Sequence, residues 1–426
     1  METIIISLAL LFFLGHALNW VFIKTKVPDL LILVGLGYLI GPVFGWVHPH
    51  DIGKVGGVLA TTALIVILYE GGLHLRAADL ISSSLPAAGL SLMGFTLIAA
   101  FSATIAWALG GQSWSLSILL GIGLGSTSSA IVIPMVKPLS ISDKAKTILS
   151  LESAFTDVLT IVMFLVLVDS MTSGVFNPNT LVIGLGPKTI QAGLLGLLSG
   201  TIWAFVKKRF TPIVSMPFSG EAWALLTYGV IETAGFNGAI GVLALGFILA
   251  NLSLLPEWLK KFVSKQPVTI REQTLLSGIT FLLRTFFFIY LGTLISFADF
   301  HTVLIAIILA LGIVVTRWLT VSFLFPGEKY SRLDAMVATA MGPRGLACAV
   351  LATIPAAKGI PGGEWLQKIM FALIPLSILL TAIFVSLSEK KAFRDKLQKL
   401  FSKYSESLVK SKEPSSGLPL EPAPPQ

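Results

Sequence analysis

Apolar runs of roughly 20 residues recur from one end of this chain to the other, each long enough as a helix to cross a bilayer's hydrocarbon core. That recurrence decides the solvent. Inside hydrocarbon every backbone N–H and C=O must be satisfied within the protein, which leaves helices and closed barrels as the spanning structures. Barrel strands alternate apolar and polar residues in much shorter segments, and these runs do not. Charge content agrees: 12% of the 426 residues are charged and 54% are hydrophobic, about half the charge of an ordinary soluble domain. The expected fold class is an all-α polytopic membrane protein.

Thirteen spans are expected, near residues 3–23, 28–46, 54–75, 86–109, 114–136, 145–168 and 184–206, then 219–235, 238–254, 275–297, 302–325, 333–356 and 366–387. The first run has no basic segment before it and no small-residue cleavage site after it, so it reads as a spanning helix. Gly235-Phe236-Asn237-Gly238 supplies the turn between spans eight and nine, with one long kinked helix as the competing reading. Charge placement tests the count. Loops after odd-numbered spans carry 15 Lys and Arg residues; loops after even-numbered spans carry 4, namely Lys54, Lys188, Lys358 and Lys368. The positive-inside rule then puts the odd loops and the C-terminus in the cytoplasm and the N-terminus outside, in the inner (cell) membrane. The formal net charge of +8 is therefore membrane topology, and no nucleic-acid partner is expected.

Two regions follow: a membrane domain over residues 1–388 and a cytoplasmic tail over 389–426. The tail opens with Lys390, Lys391, Arg394, Lys396 and Lys399, a pattern suited to the anionic leaflet, then turns Pro-rich and is expected to be disordered. A single cysteine, Cys348, excludes an intrachain disulfide. No phosphate-binding glycine loop, zinc-ligand spacing or nucleophile elbow is present, so the expectation is neither an enzyme nor a cofactor protein.

An ionisable group in mid-membrane costs at least about 2.5 kcal/mol, so each one is a functional candidate. Glu70, Glu152, Asp157, Arg284, Arg317 and Arg344 fall deep in spans, while Glu221 and Glu232 sit near span ends. Asp157 shares a helix face with Ser153, four residues before it, and Glu152 and Thr156 form the neighbouring pair. A carboxylate with hydroxyls suits either a hard monovalent cation or, once desolvated, a proton. A site that takes one or the other is the minimum machinery for exchange. The plainer reading makes Asp157 the structural partner of a buried arginine; sequence does not fix which arginine pairs with Glu152.

Two spans look interrupted. The fifth holds Gly121-Ile122-Gly123-Leu124-Gly125-Ser126-Thr127-Ser128-Ser129, and the twelfth holds Met341-Gly342-Pro343-Arg344-Gly345. Each is the middle of a three-span set, spans 4–6 (about 86–168) and spans 11–13 (about 302–387), and the odd offset between sets reverses their direction. That is the pattern of inverted-topology repeats whose two crossed broken helices frame a midplane site. Either stretch alone is equally explained by small-residue helix packing. One role open to Arg344 is to offset the partial charges of facing half-helix ends.

Motifs in order carry a resemblance: Val27-Pro28-Asp29 through Gly41-Pro42, Leu68-Tyr69-Glu70-Gly71-Gly72-Leu73, Glu152-Ser153 with Thr156-Asp157, Phe286-Phe287-Phe288 to Gly292, Arg317, and Gly342-Pro343-Arg344-Gly345. Along its membrane part the chain resembles the monovalent cation–proton antiporter superfamily, of the sodium/proton exchanger fold. The resemblance implies a homodimer in the lipid bilayer, with a six-helix core moving against a dimerisation scaffold. It implies that Asp157 binds the cation or proton, assisted by Ser153, Thr127, Thr156 and Glu70. It also implies a structural ion pair of Glu152 with Arg317, Arg344 at the broken-helix crossing, and no metal beyond the transported Na+ or K+. Electroneutral relatives carry Asn before the key aspartate and electrogenic ones a second Asp; Thr156 stands there, which implies one-for-one exchange. Ser126-Thr127-Ser128-Ser129 replaces the Thr-Asp-Pro of many sodium exchangers and leaves Na+ against K+ open. A cation-coupled symporter of an organic anion on the same fold, or a sensor or channel subunit, are the competing functions.

Overall fold

The computed structural model describes residues 29–47, 49–75, 85–172, 187–210, 218–264, 268–295 and 299–405, together with Phe13 and Ala77. Apart from Phe13, the expected first span at 3–23 lies outside the described residues, as does the Pro-rich end of the tail. Among the described residues all regular structure is helical. Helices α1 (Asp29–Tyr38, continued by a π-turn over Leu39–Val43) and α2 (Pro49–His74) come first. Then follow α3 (Leu85–Ala108), α4 (Trp114–Gly123), α5 (Ser129–Val136) and α6 (Asp143–Thr172). Helices α7 (Pro187–Arg209), α8 (Ser219–Thr233), α9 (Gly238–Ala250) and α10 (Ile270–Leu294) form the middle of the chain. The last are α11 (Phe300–Leu324), α12 (Arg332–Ala340), α13 (Leu346–Ala357), α14 (Gly363–Ser388) and the short α15 (Lys391–Lys396).

By length and apolar composition, Ala87–Ala108, Asp143–Thr172, Ile190–Arg209, Ile270–Leu294, Phe300–Leu324 and Gly363–Ser388 are each sufficient to cross a membrane. Spans eight and nine are two helices rather than one. Gly235 takes a positive φ of 81°, and Asn237 then caps α9 by accepting the Ile240 N–H at 3.2 Å. The expected fifth and twelfth spans each consist of two short helices, parted at 124–128 and at 341–345. Proline explains part of the second break: Pro343 has no N–H to give a helical ladder, and it disfavours the helical conformation for the residue before it.

Helices pack most closely within two groups. One holds α1, α2, α7, α8, α9 and α10; the other holds α3, α4, α5, α6, α11, α12, α13 and α14. The first group is drawn together at glycines. A Cβ on Gly292 would lie 2.8 Å from the Gly37 Cα, and one on Gly72 would lie 2.9 Å from the Gly246 Cα, so α10 meets α1 and α2 meets α9 backbone to backbone.

The start of the tail is bound rather than free. Phe401 and Tyr404 are buried, the Tyr404 hydroxyl donates to the carbonyls of Val321 (3.1 Å) and Phe325 (3.2 Å), and the Arg332 N–H donates to the Ser405 carbonyl at 2.8 Å. Lys390, Lys391, Lys396 and Lys399 stay exposed. Amphipathic spacing shows that one face is apolar; it does not say whether lipid or protein covers it.

Gly292→Leu is expected to lower the stability of the purified protein by about 1–3 kcal/mol through overpacking. Gly278→Leu on the same helix has nothing within 4 Å of its Cβ and is expected to be tolerated. Loss of monodisperse protein after graded heating, read by size exclusion, separates the two.

Candidate functional site

Helix α6 carries two neighbouring polar faces, and each holds one side of the first break. Asp157 faces the start of α5. Its Oδ2 accepts the Ser129 hydroxyl at 2.7 Å and the Ser129 N–H at 3.2 Å. The first N–H groups of a helix lack intrahelical partners and carry positive partial charge, so this end suits a carboxylate. Asp157 Oδ1 is buried without a hydrogen-bond partner. Its other electrostatic neighbours include the Ser126 side chain and the Arg344 guanidinium.

Glu152 and Thr156 occupy the second face. The Thr156 hydroxyl accepts the Thr127 N–H at 3.2 Å, and the Thr127 hydroxyl lies 3.4 Å from both Thr156 Oγ1 and Glu152 Oε1. Arg317 on α11 meets Glu152 in a two-pronged pair, Nη1 to Oε1 at 2.8 Å and Nη2 to Oε2 at 3.1 Å. Both side chains are almost wholly buried, at 3% and 2% exposure, which leaves no water to serve either charge alone. Arg317 Nε and Nη2 also donate to the Ala338 carbonyl at 3.0 and 2.9 Å, so the guanidinium supports the last turn of α12 as well.

The two breaks touch. The Ser128 N–H donates to the Pro343 carbonyl at 2.9 Å, and Arg344 Nη1 donates to the Ser126 carbonyl just past the end of α4. A cation beside free carbonyls at a helix C-terminus is the favourable sense of the helix dipole. Ser377 of α14 anchors the same residue by accepting the Arg344 N–H at 2.9 Å. Gly345 is needed where it stands, because a Cβ there would overlap the Ser128 side chain.

Of the residues singled out in the sequence, Asp157, Thr127, Thr156, Glu152, Arg317 and Arg344 converge on the breaks. Ser153 lies on the same helix, but its hydroxyl donates to the Ser150 carbonyl at 3.0 Å. Glu70 lies on α2, where its Oε1 accepts the Ser277 hydroxyl of α10 at 2.9 Å. Three participants were not singled out: Ser129, Ser377 and the buried Asp334. Asp334 closes a capping box with Ser331 and accepts the Ser142 N–H at 2.8 Å. The Ser331-x-x-Asp334 spacing ahead of an apolar run was its available signal. Ser129 stood in the sequence only as the last residue of the Ser126-Thr127-Ser128-Ser129 stretch, and Ser377 gave no signal, since a serine in an apolar span more often bonds its own helix.

Chemically, the arrangement sets serine and threonine oxygens around and beside one carboxylate, next to a second carboxylate already neutralised by arginine.

The family model described as sodium/hydrogen exchanger, transmembrane, matches residues 7–388. The K(+)/H(+) antiporter NhaP2 of Shewanella baltica is 25% identical over 375 residues, covering 84% of this chain and 61% of that protein. The K(+)/H(+) antiporter NhaP of Alkalimonas amylolytica is 21% identical, covering 88% and 64%. The low-affinity Na(+)/H(+) antiporter NhaS1 of Synechocystis is 24% identical, covering 70% and 55%. This chain thus spans less than two thirds of the length of these curated relatives. Among solved structures, the sodium proton antiporter MjNhaP1 of Methanocaldococcus jannaschii at pH 8 superposes with a TM-score of 0.69 at 22% identity, over 91% of this chain and 100% of that one. That likeness is one of fold.

Breaking the buried pair by Arg317→Ala is expected to cost about 3–5 kcal/mol, because Glu152 is left charged and alone. Arg317→Lys should recover little, since a point charge cannot span both oxygens and the Ala338 carbonyl. The yield and thermal midpoint of folded protein in detergent check both.

Proposed function

Because this chain belongs to the sodium/hydrogen exchanger family, a family of transporters, we propose that it is a secondary antiporter exchanging a monovalent cation, Na+ or K+, for H+. One observation carries the reading: Asp157 is a buried-site carboxylate with one oxygen held by Ser129 and the other, Oδ1, without a partner, set against two touching helix breaks. A cation on Asp157 excludes a proton there, and the reverse, so each half-cycle carries one or the other. Thr127 and Thr156 assist from the neighbouring face of α6, Glu152 and Arg317 clamp that face, and Arg344 braces the crossing of the two broken helices. Ser153 and Glu70 complete the ion- and proton-handling set when the two helix groups shift.

The architecture proposed with it has thirteen spans, inverted repeats over spans 4–6 and 11–13, and the remaining spans as scaffold of a homodimer. The N-terminus lies outside and the tail lies in the cytoplasm, in the inner membrane. Exchange is one for one, since Thr156 offers no second carboxylate beside Asp157. Relatives named for K+/H+ and for Na+/H+ exchange support both cations as substrates. A symporter of an organic anion is less well served, because Arg317 is committed to Glu152 and the Ala338 carbonyl.

In proteoliposomes loaded acid and carrying a pH dye, pulses of Na+ or K+ are expected to drive proton efflux in wild type and none in Asp157→Asn. Clamping the membrane potential should leave the rate unchanged; a current carried by the protein would overturn the one-for-one stoichiometry.

A further inference from the structure

Ser129 makes two bonds to Asp157; the N–H is an orphan donor of the first turn and needs such a partner, but the start of α5 does not itself require the hydroxyl bond. Ser129 is the first residue of that helix, a position where even proline is welcome because the N–H there has no intrahelical acceptor. The hydroxyl is not needed for capping, since Ser128 holds the cap position. Yet the Ser129 hydroxyl and N–H both converge on one oxygen of the exchange carboxylate. The hydroxyl on Asp157's own helix that spacing would favour, Ser153, is turned to the Ser150 carbonyl.

A hydroxyl differs from an N–H in what it does next. It is a donor with two acceptor lone pairs and can rotate between the two uses. Donating, it serves a bare carboxylate. Rotated, it presents an oxygen 2.7 Å from Asp157 Oδ2 to an ion held by that carboxylate, and hard cations take oxygen ligands. The backbone N–H can do only the first.

We infer that Ser129 is a cation-liganding residue of the exchange site that sets its ion preference, its hydroxyl turning from donor to ligand when the cation replaces the proton. The inference rests on the reading of Asp157 as the exchanging carboxylate. Because Ser129 belongs to α5 and Asp157 to α6, the pair exists only while the break is in place, which ties ligand geometry to the crossing. Exchanging this fixed oxygen for water changes the size of the cage, so the effect differs from one cation to another.

The test measures KM and Vmax for Na+, K+ and Li+ in proteoliposomes of wild type, Ser129→Ala, Ser129→Thr and Asp157→Asn. Losing one such bond is expected to raise KM for the transported cation about fivefold in Ser129→Ala, by unequal factors among the cations. Ser129→Thr keeps the hydroxyl and is expected to restore KM. If Ser129→Ala is not monodisperse, Ser129→Gly makes the same deletion. Unchanged KM ratios, or a fall in Vmax alone, would overturn the inference while a silent Asp157→Asn left the exchanger reading standing. A wild type silent to every cation would overturn both.

Discussion

Glu152 and Arg317 are two full charges with almost no contact with solvent, and the rest of the site is arranged so that they can exist there. Desolvating each ion costs several kcal/mol, and the pair recovers that only when its geometry is close to ideal and its remaining donors are used. Here they are: two parallel prongs to the carboxylate and two further bonds to the Ala338 carbonyl. The consequence is mechanical. The pair fixes α6 to α11, and through Ala338 it fixes the final turn of α12, so the segment entering the second break starts from a set position.

The same economy governs the breaks. Unwinding a helix in an apolar setting strands N–H and C=O groups, and each must find a partner. Thr156 takes the Thr127 N–H, Pro343 takes the Ser128 N–H, Asp157 takes the Ser129 N–H, and Arg344 serves the Ser126 carbonyl. Three consecutive N–H groups thus leave for three different residues, two on α6 and one in the second break. The contacts of Asp157 and the satisfaction of the backbone are one set, so displacing Asp157 from Ser129 exposes a helix end as well as a carboxylate.

Helix α6 serves two purposes because of its pitch. Residues 152 and 156 are one turn apart on one face, and 153 and 157 lie on the next. The first face is committed to Arg317 and the first break, and leaves the second with an unpartnered oxygen. The two helix groups meet through fewer close pairings than each makes internally, with α14 near α1 and α10 and α13 near α2. Such an interface is where relative movement is least costly.

What the sequence determined alone was the helical class, the approximate extents of most of the helices among the described residues and the location of both breaks, because these depend on local quantities: run length, glycine and proline placement, and the cost of a charge in hydrocarbon. Glu152, Asp157, Arg317 and Arg344 announced themselves for that last reason. Which of them meet was decided only in three dimensions. Glu152 and Arg317 are 165 positions apart, and Arg344 and Ser126 are 218 apart, so no spacing rule connects them. Spacing pointed to Ser153 as the hydroxyl beside Asp157, whereas the fold turned Ser153 to its own helix and brought Ser129 from 28 residues away. A hydroxyl's partner is set by whichever acceptor packing delivers, and packing is a property of the whole chain.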